Sequence, residues 1–81
     1  MDKHSQRLAA AWGTEIATRR KLAGLSRAQL ADELDVSREI VRLWEAGEHL
    51  PSPRMQSLLI DRLSLDTATI ARLIDLTRGV A

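Results

Sequence analysis

Two serines, Ser26 and Ser37, constrain the chain more than any other feature. Ser26 opens Ser-Arg-Ala-Gln, in which the serine oxygen can accept from the backbone N–H of Gln29 while the Gln29 side chain reaches back to the N–H of Ser26. This capping box predicts a helix over about residues 27 to 34, which turns Ala28, Leu30, Ala31 and Leu34 inward to different degrees. Ser37 caps a second helix over about 38 to 45, stopped at Gly47. Between them Asp35 and Val36 have room only for a turn.

The remaining chain is read by the same signals. No alternation of strand type persists, and apolar residues recur at helical spacing, which predicts an all-α fold. A helix before Ser26 is expected over about 14 to 22, with Trp12 and Ile16 one turn apart and Gly24 as its left-handed stop. The preceding SQRLAA either extends it or forms a separate turn. Pro51 and Pro53 flank Ser52 as a cap followed by proline at the first helical position, so a fourth helix is expected over about 53 to 63. Asp66 caps a fifth, with Ile70, Leu73, Ile74 and Val80 along one stripe.

Composition narrows the function classes. A chain of 81 residues is one small domain. It has no cysteine, which removes disulfides and thiolate metal sites and favours an intracellular, cytoplasmic setting. His4 and His49 are far apart, so no metal site is expected. No cofactor or small-molecule ligand is implied. No apolar run can span a bilayer, and the N-terminus lacks the apolar stretch of a signal peptide. There is no catalytic His–carboxylate–nucleophile set and no glycine-rich phosphate loop, so no catalytic residue is assigned and an enzyme is not expected.

Net charge is only +1, but Arg19, Arg20, Lys21, Arg27, Arg38, Arg42 and Arg54 crowd the middle of the chain. A locally basic surface can form despite near-neutrality. With neither Phe nor Tyr, the stacking platforms of single-strand binders are missing, and double-stranded DNA is the better nucleic-acid candidate.

From Trp12 to Leu65 the sequence resembles the helix-turn-helix domain of the Cro and phage-repressor family, also called the xenobiotic-response-element family. The landmarks are Trp12-Gly13 with Ile16 and Arg20, Gly24-Leu25-Ser26, Gln29-Leu30-Ala31, Val36-Ser37, Trp44-Glu45 with Gly47, and Pro51 with the leucines that follow. The resemblance implies a five-helix, lambda-repressor-like fold. Its domain would cover 12–65, with 1–11 as an N-terminal extension, flexible or helical, and 66–81 as a C-terminal helix and candidate dimerisation element. It also implies that Arg20 and Glu45 form a partly buried brace, so that Arg20 is not a DNA contact.

On a helical wheel at ~100° per residue, Val41 and Trp44 lie about 60° apart and mark the buried side of the helix after Ser37. Arg38, Glu39, Arg42 and Leu43 form a band opposite them. In the family such positions reach base edges in the major groove. Arg38 can fork onto guanine, Glu39 can accept from cytosine N4, Arg42 can take guanine or phosphate, and Leu43 can pack on a thymine methyl. The plainer alternative leaves Glu39 and Arg42 as a solvated pair and Leu43 against a neighbouring helix. Phosphate contacts are expected from Ser26, Arg27, Gln29, Ser37 and Arg54, with Arg19 and Lys21 as lesser candidates.

One departure stands out. Members of the family often carry a basic residue after the glycine that ends the reading helix, whereas this chain has Glu48 and then His49. An acidic group there repels phosphate.

A single reading helix covers few base pairs, so a homodimer on paired half-sites is expected, with Leu65, Ile70, Leu73 and Ile74 as candidate dimer surface. The alternative is that these residues close the monomer core. The resemblance implies a small bacterial or bacteriophage repressor or Cro-like regulator that binds an operator and acts by occlusion. A second reading is the antitoxin of a toxin–antitoxin pair, built on the same fold.

Overall fold

The computed structural model describes residues 1–79 and contains five helices: α1 (Lys3–Leu22), α2 (Arg27–Leu34), α3 (Arg38–Glu45), α4 (Pro53–Arg62) and α5 (Thr67–Thr77). No strand occurs among the described residues. Each helix starts with a side-chain cap, as Asp2, Ser26, Ser37, Ser52 and Asp66 accept from the N–H groups of Ser5, Gln29, Ile40, Met55 and Thr69. The capping box is complete at Ser26: the Gln29 N–H lies 3.0 Å from Ser26 Oγ, and Gln29 Oε1 accepts from the Ser26 N–H at 2.8 Å. Val80, placed on the fifth helix's stripe by its sequence spacing, lies outside the described residues.

α1 takes the longer of its two expected forms. It runs unbroken through the boundary drawn at residue 12, as one helix of 20 residues. The physical reason is a continuous buried stripe, Leu8, Ala9, Trp12, Gly13, Ile16 and Arg20, at spacings of three and four. Asp2 supplies the cap that starts it. SQRLAA is therefore part of the first helix and not a separate turn. Ala28, by contrast, is exposed, and α2 buries only Leu30, Ala31 and Leu34.

The core gathers Trp12 and Ile16 from α1, Leu30 and Leu34 from α2, Val41 and Trp44 from α3, Leu59 from α4 and Leu73 from α5. Trp12 and Trp44 are both nearly inaccessible, at 2% and 3%. Trp44 is thus packing and not a stacking platform for bases. Gly13 sets how closely α1 and α3 approach, because a Cβ there would overlap the carbonyl oxygen of Trp44. Any side chain would push the end of α3 away from α1.

Helix ends fix the angles between elements. Gly24 and Gly47 both take φ +73 after α1 and α3. Asp35 (φ 56) and Ser64 (φ 53) do the same after α2 and α4 without glycine. A short polar side chain makes this left-handed state accessible to Asp35.

α5 is tied to α1 by polar contacts. Arg72 Nη2 donates to Glu15 Oε1 at 2.8 Å, Arg19 Nη2 donates to Thr69 Oγ1 at 3.3 Å, and the Arg19 guanidinium lies 3.6 Å from Asp66 Oδ1. His4 Nε2 lies 3.2 Å from the Thr77 carbonyl at the far end of α5. Arg19 is therefore engaged in the α1–α5 contact, which argues against the phosphate role considered for it.

Candidate nucleic-acid interface

α2 and α3 meet through the Asp35–Val36 turn, with the Val36 N–H bonded to the Ala31 carbonyl at 3.0 Å. The pair is held against α1 by Arg20 and Glu45. Arg20 Nε donates to Glu45 Oε2 at 2.6 Å and Nη2 to Oε1 at 3.1 Å, while Nη1 donates to the Leu25 carbonyl at 2.9 Å. Three of its N–H directions are thus used inside the fold. The Glu45 side chain is only 3% exposed. Burial pushes its pKa up, but hydrogen bonds from Arg20 and then Arg27 outweigh this and hold the carboxyl below its ordinary value. The same bond raises the pKa of the Arg20 guanidinium.

Arg27, at the start of α2, is the third member of this cluster. Its Nε donates to Glu45 Oε1 at 2.9 Å, yet its side chain stays about half exposed and its Nη groups make no hydrogen bond within the fold among the described residues. This contact spans two helices and has no signature in local spacing. Ser26, Gln29 and Ser37 are exposed caps whose oxygens accept within the fold. The serine hydroxyl protons and the Gln29 NH2 group remain available to donate outward. Arg54, in the first turn of α4, is exposed and has no ion-pair partner among the described residues.

On α3, Arg38, Glu39 and Arg42 are exposed and Leu43 is half-buried, on the side away from Val41 and Trp44. Arg42 Nε donates to Glu39 Oε1 at 2.6 Å and Nη2 to Oε2 at 2.9 Å. That bond lowers the pKa of Glu39 and raises that of Arg42. The solvated pair weighed from spacing alone is therefore formed. Arg38 has no ion-pair partner among the described residues. Arg27, Arg38, Glu39 and Arg42 together line an open hollow of about 340 Å³ between the starts of α2 and α3. Glu48 is exposed just beyond α3, and its charge is felt at Arg42.

The candidate dimer surface needs correction. Leu65 and Leu73 are buried at 8% and 2%, so they close the monomer core and present no surface to a partner. Ile70 is half-buried and Ile74 is exposed at 44%, beside a small apolar recess that Trp12 and Ile60 help to line. No cluster of metal-ligating side chains occurs among the described residues. No helix among them is long and apolar enough to cross a membrane.

A capped helix pair joined by a short turn and braced from behind by a buried ion pair has the build of a helix-turn-helix domain. A family model described as helix-turn-helix matches residues 16–70, and the chain belongs to that Cro/C1-type helix-turn-helix family. The match omits most of α1 and takes in the start of α5. No curated protein and no solved structure matches the chain.

Proposed function

We propose that the protein is a sequence-specific transcriptional regulator of Cro or repressor type, which lays α3 in the major groove of double-stranded DNA. The observation that carries this reading is the α3 band of Arg38, Glu39, Arg42 and Leu43, turned away from the core and bordered by Ser26, Arg27, Gln29 and Ser37. Base edges are addressed by the band and phosphates by its border, with Arg54 as an outlying phosphate contact. Repression by occlusion follows where the operator overlaps a promoter.

Two copies are needed to specify an operator, each reading a half-site about one helical turn, roughly 34 Å, from the other. The exposed side of α5 around Ile70 and Ile74 is the surface proposed for that pairing. The same apolar side also supports the antitoxin reading, in which a different protein covers it.

Selection from a randomised double-stranded DNA library at moderate salt tests the proposal. A single enriched motif is the expected result. Binding without enrichment of any sequence would sink the regulator reading, and stoichiometric co-purification of an encoded neighbour on α5 would favour the antitoxin.

A further inference from the structure

Arg42 is held on one side only. An arginine guanidinium carries five N–H donors arranged as two forks, one along Nε and Nη2 and one across Nη1 and Nη2. Glu39 occupies the first fork completely, with both oxygens engaged at 2.6 Å and 2.9 Å. The second fork has no hydrogen-bond partner within the fold among the described residues, and Arg42 is one of the residues that line the hollow shared with Arg27, Arg38 and Glu39.

The pair does little for the fold. Both side chains are about half exposed or more, at 48% and 62%, and an ion pair in such a setting contributes little to stability. What it does restrict is the long, flexible arginine side chain, whose freedom would otherwise be lost on binding. A bidentate contact to guanine O6 and N7 requires just such a fork, presented edge-on.

We propose that Glu39 is a positioning residue for Arg42, fixing the guanidinium so that its free Nη1–Nη2 edge meets one guanine in the operator. This rests on the sequence-reading function proposed above and assigns Glu39 a role distinct from direct contact with cytosine. Glu39 then acts at the base pair that Arg42 reads. Its carboxylate also subtracts charge from the hollow, so a chain lacking Glu39 binds DNA in general no more weakly while discriminating less.

The test is library selection with the full chain, comparing wild type, Glu39→Ala, Glu39→Gln, Arg42→Ala and the Glu39→Ala/Arg42→Ala double variant at one salt concentration. Thermal unfolding of each variant checks the fold. Arg42→Ala removes a guanine preference at one position. Glu39→Ala weakens that same position by about fivefold or more and leaves the others intact. Glu39→Gln keeps one acceptor oxygen and falls between wild type and Glu39→Ala. The double variant matches Arg42→Ala alone, because the carboxylate has nothing left to position.

Loss at a different base pair would make Glu39 a direct reader and overturn the proposal. A uniform gain for all sequences, or no change, would make it a repulsive or idle surface charge and overturn it equally. A wild-type chain that enriches no motif overturns the sequence-reading function itself, and this role with it.

Discussion

Arg20 on α1 and Glu45 at the end of α3 form a two-point ion pair, at 2.6 Å and 3.1 Å, behind the helix that carries the candidate base readers. Glu45 accepts at the same time from Arg27 at 2.9 Å, whose outer face belongs to the proposed phosphate contact. One buried carboxylate therefore links the hold on α3, the start of α2 and the α1 frame. Its removal should disturb binding and stability together.

Arg20→Ala leaves Glu45 buried with only the half-exposed Arg27 as partner. The expected loss is about 3–5 kcal/mol in chemical denaturation, toward the lower end if Arg27 closes over the carboxylate. The Arg20→Met/Glu45→Met double variant removes both buried charges and should recover much of that loss. A single variant as stable as wild type would show that the pair does not brace α3.

The pH dependence follows from the same carboxyl. Glu45 has a lower pKa folded than unfolded, so the unfolded chain binds more protons and stability rises with pH across this window. The contribution is complete above the ordinary value of 4.5 and is lost as pH falls through the depressed folded value. Asp2 and Asp66, both lowered chiefly by bonds from the residues they cap, act in the same direction. Glu45→Gln isolates the effect: its stability profile below pH 4.5 should be flatter than that of wild type, measured by urea titration at several pH values.

How legible the site was depended on whether each signal is local. Ser26 and Ser37 announce α2 and α3 because a cap acts over one turn, and both helices begin and end where the caps and stops place them. The start of α1 is open in the sequence, where SQRLAA either extends the helix or turns, and Leu8 and Ala9, which continue the buried stripe, decide for extension. The left-handed ends at Asp35 and Ser64 carry no glycine to mark them. Arg27 on Glu45 and Arg19 on Thr69 and Asp66 are tertiary contacts, which no spacing rule reveals. The Glu39–Arg42 pair is local and was visible as an alternative, but spacing could not say which fork of Arg42 it would leave open.

Arg27 and Arg38 should separate phosphate from base contact. Arg38→Ala is expected to relax preference at one base pair by about 1–3 kcal/mol, read from library selection. Arg27→Ala should weaken all sequences nearly equally and reduce the slope of log affinity against log salt by about 0.9, one phosphate's share on duplex DNA. Arg27→Ala also frees one bond to Glu45, so its melting temperature must accompany the salt titration. If Arg27→Ala altered sequence preference and Arg38→Ala did not, the assignment of the two residues would be reversed.

The α5 surface can be separated from the core by residue choice. Deleting the chain after Leu63 is a poor probe of pairing, because it also removes Leu73 from the core and releases Arg19 and Glu15 from their α5 partners. Leu73→Ala, at a buried site, should cost about 2–5 kcal/mol of stability whatever the oligomeric state. Ile74 is 44% exposed, so Ile74→Asp should leave the chain folded and cost less than Leu73→Ala, apart from the stability that pairing itself contributes. In sedimentation, wild type is expected to form a dimer that Ile74→Asp converts to monomer. On DNA the substitution should weaken binding to paired half-sites far more than to one half-site, since only the former gains from linkage. A stable dimer of Ile74→Asp with unchanged binding to the paired site would move the proposed interface off α5.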